Sequence, residues 1–255
     1  LVLRLFPNAR GVIAIEDNKP EAIEAMTHAC EGDANLSVLP VMAKYPEGGE
    51  RSLIGVVTGR QLRFGQLPAD LGCVVCNVST LNAIYRAVCK TEPLMGRLFT
   101  VSGDAVANPH TLFVRIGTSC SELLEAAGGI KPGSEARKIL CGGPMMGIAM
   151  STLDAPIAKN NNALTVLASD EVELAEQQMT ACLRCGRCGH VCPIGLVPQM
   201  MAEAAERQDY ERYEKKLYGL DCIACGSCTY ICPAKRPLMQ LFKQTKAVIM
   251  AAKRK

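Results

Sequence analysis

Cys182, Cys185, Cys188 and Cys192, followed by Pro193, repeat the spacing of Cys222, Cys225, Cys228 and Cys232, followed by Pro233. Each stretch is a C-x2-C-x2-C-x3-C-P run, and this duplication constrains the chain more than any other feature. Three thiolates at spacing three wrap three corners of one 4Fe-4S cube, while the fourth, carried on to the proline, ligates the other cluster in two-cluster ferredoxins. The runs therefore work as a pair. On this reading one cluster takes Cys182, Cys185, Cys188 and Cys232, and the other takes Cys222, Cys225, Cys228 and Cys192. Gly186 and Gly226 fit, because a small residue lets backbone amides approach cluster sulfurs.

Structural zinc also accepts four thiolates, but it is ordinarily held by two separated C-x2-C pairs, not by four cysteines in one tight run. The chain has 14 cysteines. In a short secreted protein that number would suggest a disulfide scaffold. Here eight of them fall in the two runs, and no basic stretch with an apolar core and cleavage site opens the sequence. A reducing compartment with metal is the better reading. Cys73 and Cys76 form a further C-x2-C inside an apolar, strand-like stretch, where free cysteine behaves as a small hydrophobe. Core packing without metal is expected for them, and for the singletons Cys30, Cys89, Cys120 and Cys141. His190 lies between two ligand cysteines, but with four thiolates already present it is not needed as a ligand.

The remaining sequence is that of an ordinary folded protein, with 49% hydrophobic and 21% charged residues. No run approaches the roughly 18 apolar residues of a membrane-spanning helix. Gly11 to Ile15 reads as a strand, Asn18-Lys-Pro-Glu as a capped start, and Ala22 to Cys30 as a helix. Leu36 to Met42 reads as a strand, Glu50 to Thr58 as a helix, Leu71 to Val75 as a buried strand and Ser79 to Lys90 as a helix. That alternation predicts an α/β unit with a partly parallel sheet covered by helices. After Pro93 the texture changes to α+β. Strands are expected at Leu98 to Ser102 and Thr111 to Ile116, then a helix from Ser121 to Ala127 ending in Gly128-Gly129. Lys138 to Cys141 and Leu164 to Ala168 return as strands, with Gly142, Gly143, Pro144 and Gly147 in a tight turn between. From Glu171 helical periodicity dominates.

With the cysteine runs placed, the chain resembles the RnfC family, the C subunits of the Rnf electron transport complex, a membrane-bound ferredoxin:NAD oxidoreductase. The resemblance runs through Ile15-Glu-Asp-Asn-Lys-Pro-Glu-Ala, Lys44-Tyr-Pro-Glu-Gly-Gly-Glu, Val57-Thr-Gly-Arg, Asn77-Val-Ser-Thr, Val101-Ser-Gly, Gly142-Gly-Pro-Met-Met-Gly and both cysteine runs. The family is similar to the flavin subunit of respiratory complex I. The resemblance implies a partial Rossmann-like flavin domain over 1–96, a β-grasp (SLBB-like) domain over 97–169 and a helical ferredoxin-like domain with two 4Fe-4S clusters over 170–255. It implies that Asn77 and Thr80 sit where the complex I relative holds the flavin phosphate; a strand-to-helix connection capped by Asn77 or Ser79 is the reading the residues alone support. The family's glycine-rich flavin loop and the acidic segment after it would lie upstream of Leu1. The chain is therefore expected to be a fragment, with FMN and NAD(H) binding assigned to the longer parent.

The activity the resemblance implies is transfer of electrons from ferredoxin to NAD with coupled ion translocation, at the cytoplasmic side of the prokaryotic cell membrane and peripheral to it. The alternatives are a flavin and iron-sulfur cobalamin reductase of a diol-utilisation microcompartment, or a pure electron-carrier module. Expected partners are the other Rnf subunits and ferredoxin or a similar acidic redox protein. Charge is uneven. Residues 178 to 255 carry 13 Lys and Arg against six Asp and Glu, a balance of +7, while residues 1 to 177 carry −4. The excess is densest in the last helix, where Leu238, Leu241, Phe242, Thr245, Ile249 and Ala252 predict one apolar face. Lys243, Lys246, Lys253, Arg254 and Lys255 fall largely elsewhere and form either a solvated face or a docking surface. Aromatics are only 4% and no basic patch is interleaved with them, so nothing supports nucleic-acid binding.

Overall fold

A computed structural model describes residues 2–254, so Leu1 and Lys255 lie outside the described residues. The chain forms two compact units, divided between Thr91 and Glu92.

The first unit contains helix α1 (Val2–Leu5), strand β1 (Gly11–Glu16), helix α2 (Pro20–Cys30), strand β2 (Leu36–Val41), helix α3 (Glu50–Thr58) and helix α4 (Val78–Lys90). β1 and β2 pair in parallel, from Gly11 opposite Leu36 to Glu16 opposite Val41. The connection between them is α2, as a parallel pair requires a crossover. α2 begins on Pro20, which loses nothing there because a first-turn N–H has no helical partner. Its cap position is Lys19, with no side-chain cap, and not Asn18 as the sequence suggests. α3 ends on Gly59, whose positive φ of 70° closes the last turn.

The predicted strand over Leu71 to Val75 does not form. A 3-10 turn spans Pro68–Leu71 and Gly72 follows in the left-handed region at φ 67°. An open loop then runs to Asn77, with Val74 79% exposed. A β-branched stretch becomes a strand only where a neighbour pairs with it and covers it. Among the described residues of this unit the sheet holds only β1 and β2. The expected helix-covered sheet is thus reduced to a two-stranded ladder.

The second unit opens with β3 (Gly96–Ser102), β4 (His110–Arg115), α5 (Cys120–Ala126), β5 (Lys138–Cys141), β6 (Ile148–Ala149) and β7 (Ala163–Leu167). The strands make one mixed sheet in the order β4-β3-β7-β5-β6, with β3 and β7 parallel at its centre. This is a β-grasp arrangement. α5 starts in a capping box, with Ser119 accepting from the Glu122 backbone N–H and Glu122 accepting from that of Ser119. Leu123 and Leu124 of α5 pack on Phe99, Val101, Leu164 and Val166 to form the core.

Helices α6 (Glu171–Gln177), α7 (Arg187–His190), α8 (Pro198–Glu206), α9 (Ser227–Tyr230) and α10 (Leu238–Lys253) follow. Asp170 joins the two parts of this unit. Its carboxylate caps α6 by accepting from the Val172 and Glu173 N–H groups, and accepts from Lys138 Nζ of β5 at 2.5 Å. Burial opposes its charged form, but the Lys138 bond and the two backbone donors outweigh that and hold its carboxyl below the usual range. A second core gathers Met201, Ala202 and Ala204 of α8 with Tyr213, Leu220, Leu238, Phe242 and Ile249. The small alanines let α8 and α10 approach closely. α10 buries Leu238, Phe242, Thr245 and Ile249 with Leu241 beside them, but Ala252 is exposed. The apolar face therefore stops short of the helix end.

Candidate metal centres

The two cysteine runs fold as twins. Left-handed backbone recurs at matching places in each: Arg184 and Ala224, Gly186 and Gly226, Gly195 and Lys235. Gly186 (φ 75°) is the cap of α7 and Gly226 (φ 85°) the cap of α9, so each run wraps a loop and then enters one helical turn. Arg184, Ala224 and Lys235 hold this conformation without being glycine, asparagine or aspartate, at a cost of roughly 1–2 kcal/mol each. Such local strain is retained where the loop shape matters.

Each run contributes three cysteines to one cavity and one to the other. Cys182, Cys185, Cys188 and Cys232 line the first cavity, with Leu183, Arg184, Gln199, Arg236 and Leu238. Cys192, Cys222, Cys225 and Cys228 line the second, with Ile194, Leu196, Met201, Ile223, Met239 and Phe242. The cavities enclose about 400 and 390 Å³, open mouths included. Among the described residues no three His, Cys, Asp or Glu side chains close on a single ion position. Four thiols about an apolar hollow, with backbone N–H groups turned toward them, fit a cluster with cysteines at its corners. Leu196 N–H donates to Cys192 Sγ at 3.3 Å and Ala224 N–H to Cys222 Sγ at 3.4 Å.

Burial sets the thiol chemistry. Cys228 is pushed up to about 12, first by burial and then by the charges of Cys222, Cys225 and Cys192. Burial also raises Cys222, with Cys192 and Cys225 adding to it against the Ala224 N–H and Lys246. Cys188 rises for the same first reason, with a smaller contribution from Cys232. Sulfurs that repel one another as thiolates are sulfurs placed to share a cationic centre.

Several residues around these centres carry no local signal. Tyr213 sits fully buried in a π-helical turn over Arg212–Lys216, and its hydroxyl donates to Gly219 O at 3.4 Å. A Cβ at Gly219 would lie 2.2 Å from the Tyr213 ring, so only glycine fits there. Burial first, then Cys222 and Cys228, push the phenol up. Cys188 Sγ donates to Gln199 Oε1 at 3.4 Å. His190 is exposed and lines neither cavity.

Of the other cysteines, Cys120 sits in a core as expected and the rest are less covered. Cys76 and Cys89 are exposed, Cys30, Cys73 and Cys141 are half-buried, and only Cys120 is buried. Cys73 and Cys76 lie on the open loop before α4, and α4 buries none of its residues. Leu71, Cys73 and Val75 are only half-buried and Val74 is exposed, so the apolar character of that stretch does not place it in a core. Asn77 caps α4, its side chain accepting from Ser79 N–H at 2.9 Å, and Thr80 stands exposed in the first turn.

Three family models match this chain in order along it: the Nuo51 FMN-binding domain over residues 1–86, the SLBB domain over 98–149 and the 4Fe-4S dicluster domain over 181–237. It is 43% identical over 252 residues to the C subunit of the proton-translocating ferredoxin:NAD(+) oxidoreductase complex of Clostridium ljungdahlii, covering 99% of this chain and 54% of that one. The chain belongs to the RnfC family. A further RnfC member, from the Na(+)-translocating ferredoxin:NAD(+) oxidoreductase complex of Acetobacterium woodii, is 41% identical over 96% of this chain and 54% of its own. Its counterpart in the ion-translocating oxidoreductase complex of Haemophilus influenzae is 44% identical over 96% of this chain and 37% of its own. The chain thus spans about half the length, or less, of these RnfC relatives. A solved NAD+-reducing [NiFe]-hydrogenase shares the fold, with a TM-score of 0.53 and 22% identity over 96% of this chain and 50% of that one.

Proposed function

We propose that this chain is the cluster-bearing part of the RnfC component of an ion-translocating ferredoxin:NAD oxidoreductase, and that it relays single electrons. The observation that carries the reading is the crossed cysteine sets, three from one run and one from the other around each cavity. We assign Cys182, Cys185, Cys188 and Cys232 to one 4Fe-4S cluster and Cys222, Cys225, Cys228 and Cys192 to the other. Bound there, the clusters supply one-electron transfer at potentials set by charge, hydrogen bonds and solvent exposure. The chain's own part is to hold eight sulfurs in place, to donate N–H groups toward them and to keep water out with Met201, Phe242 and Leu238. No acid or base is needed.

In this reading the domains divide at 1–96, 97–169 and 170–255, and FMN belongs to the longer parent, with Asn77 and Thr80 beside its phosphate. α4 opens a phosphate-compatible end there, but Asn77 is already used as a cap. The partners are the other subunits of the complex, an acidic ferredoxin and NAD(H). Among the described residues no helix is long and apolar enough to cross a membrane; a peripheral place on the cytoplasmic face accords with that. The relatives above carry the ion-translocating name, so the cobalamin reductase alternative has nothing to favour it. Of the cations considered for docking on α10, Lys246 donates to Leu220 O and Lys253 pairs with Glu214. They serve the helix's own packing, which leaves Lys243 and Arg254 as the exposed candidates among the described residues.

The test is composition. Protein purified or reconstituted without oxygen is expected to hold about eight irons and eight acid-labile sulfides per chain. Stoichiometric zinc in a colourless protein would overturn the reading.

A further inference from the structure

The two cysteine loops share spacing and backbone shape, yet one is covered and the other is not. Among the described residues, apart from Gly186 and its two chain neighbours, no atom lies within 4 Å of where a Cβ would stand on Gly186. The same point on Gly226 has Met145 O at 3.4 Å and Met145 Cε at 3.5 Å. Met145 belongs to the β-grasp turn Gly142-Gly-Pro-Met-Met-Gly, far away in sequence. That turn has little freedom. Gly147 N–H donates to Gly143 O at 2.8 Å, closing it. Gly142 N–H donates to Ala163 O, and Gly142 O accepts from Thr165 Oγ1, both at 2.8 Å, which ties it to β7. A Cβ on Gly147 would meet Gly143 O at 2.5 Å, and Gly142 takes φ 110°, so both ends demand glycine. The result is a rigid turn that presents Met145 to the second loop. Met146, one residue on, is 55% exposed.

The consequence is visible in burial. Cys182 and Cys185 are exposed, whereas Cys225 is 8% exposed and Gly226 is buried.

We propose that Met145 seals the second cysteine loop, so that the cluster held by Cys192, Cys222, Cys225 and Cys228 is the water-excluded one and the other remains open to solvent. This rests on the cluster assignment above and adds a positioning residue to it. A four-thiolate cluster gains negative charge on reduction, and burial disfavours added charge. Cover by Met145 therefore holds that cluster's potential below the value it would have in water.

The experiment uses this chain with its clusters reconstituted anaerobically, as wild type, Met145→Ala, Met145→Leu and Met146→Ala. Two signals are read: iron release to a chelator with time, and the two midpoint potentials by spectroscopic titration. In Met145→Ala the half of the iron that wild type releases late is expected to leave several-fold faster, and one midpoint to rise while the other stays. Met145→Leu refills the space and is expected to behave as wild type, as is Met146→Ala. Equal acceleration of both halves, loss of both clusters, or no change in either signal would overturn the proposal while leaving the cluster assignment intact. A wild type that holds no iron would overturn the assignment itself, and this inference with it.

Discussion

The first cysteine run lies on exposed backbone from Ala181 to Arg187, with Leu183 63% exposed, while the second is bedded among buried Leu220, Asp221 and Cys225. Ligand spacing and left-handed positions are the same in both. The difference comes from what the rest of the unit lays over each. The second run packs against the core that holds Tyr213, Phe242 of α10 lines its cavity and Met145 of the β-grasp turn lies against Gly226; the first cavity is lined by no aromatic residue among the described residues. Two loops of equal spacing thereby differ in how far the rest of the unit covers them.

Exchange of ligands between the runs should produce the biggest change. Cys192→Ser lies in the first run but lines the second cavity, so it is expected to cost about half the iron, and the half lost should be the late-released one. Cys232→Ser should instead cost the readily released half. Iron and sulfide analysis with chelator kinetics decides it; the reverse assignment would undo the pairing described here.

Next in size is the aromatic support near the second run, where Tyr213 stands close to Cys222 and Cys228. Tyr213→Ala empties a fully buried ring and is expected to destabilise the metal-free unit by about 3–5 kcal/mol, the range for removing a large aromatic from a core. Leu183→Ala, on the exposed run, should change stability by about 0.5 kcal/mol or less. Denaturant unfolding of both variants measures the contrast, and equal losses would erase it.

A subtler effect concerns thiol reactivity in the metal-free chain. Thiolate is the reactive form, and Cys228 stays protonated up to about 12 where an ordinary cysteine ionises near 9. Because its folded value is raised, it favours the fold below about pH 9, and that contribution is lost as pH rises toward 12. Alkylation at pH 8 to 9 should label exposed Cys182 and Cys185 first and Cys228 last, with the gap closing as pH rises. Peptide mapping that finds Cys228 labelled alongside Cys182 would contradict the burial difference.

Features that depend on neighbours a few residues apart were legible in the order of residues. The paired cysteine runs, the α3 boundaries at Glu50 and Thr58 and the glycine turn after Cys141 follow from local spacing and backbone conformation. Resemblance across Asn77-Val-Ser-Thr and the other stretches supplied the family. Long-range packing was needed to show that Leu71 to Val75 lacks a pairing strand, that Cys76 and Cys89 face outward, that Ala252 leaves the buried face of α10 and that Lys246 and Lys253 are engaged within the unit. The same packing set Met145 against Gly226 and Tyr213 against Gly219. Burial and cover are properties of what packs from elsewhere in the chain, and two cysteine runs of identical spacing cannot state in their own residues which of them will be covered.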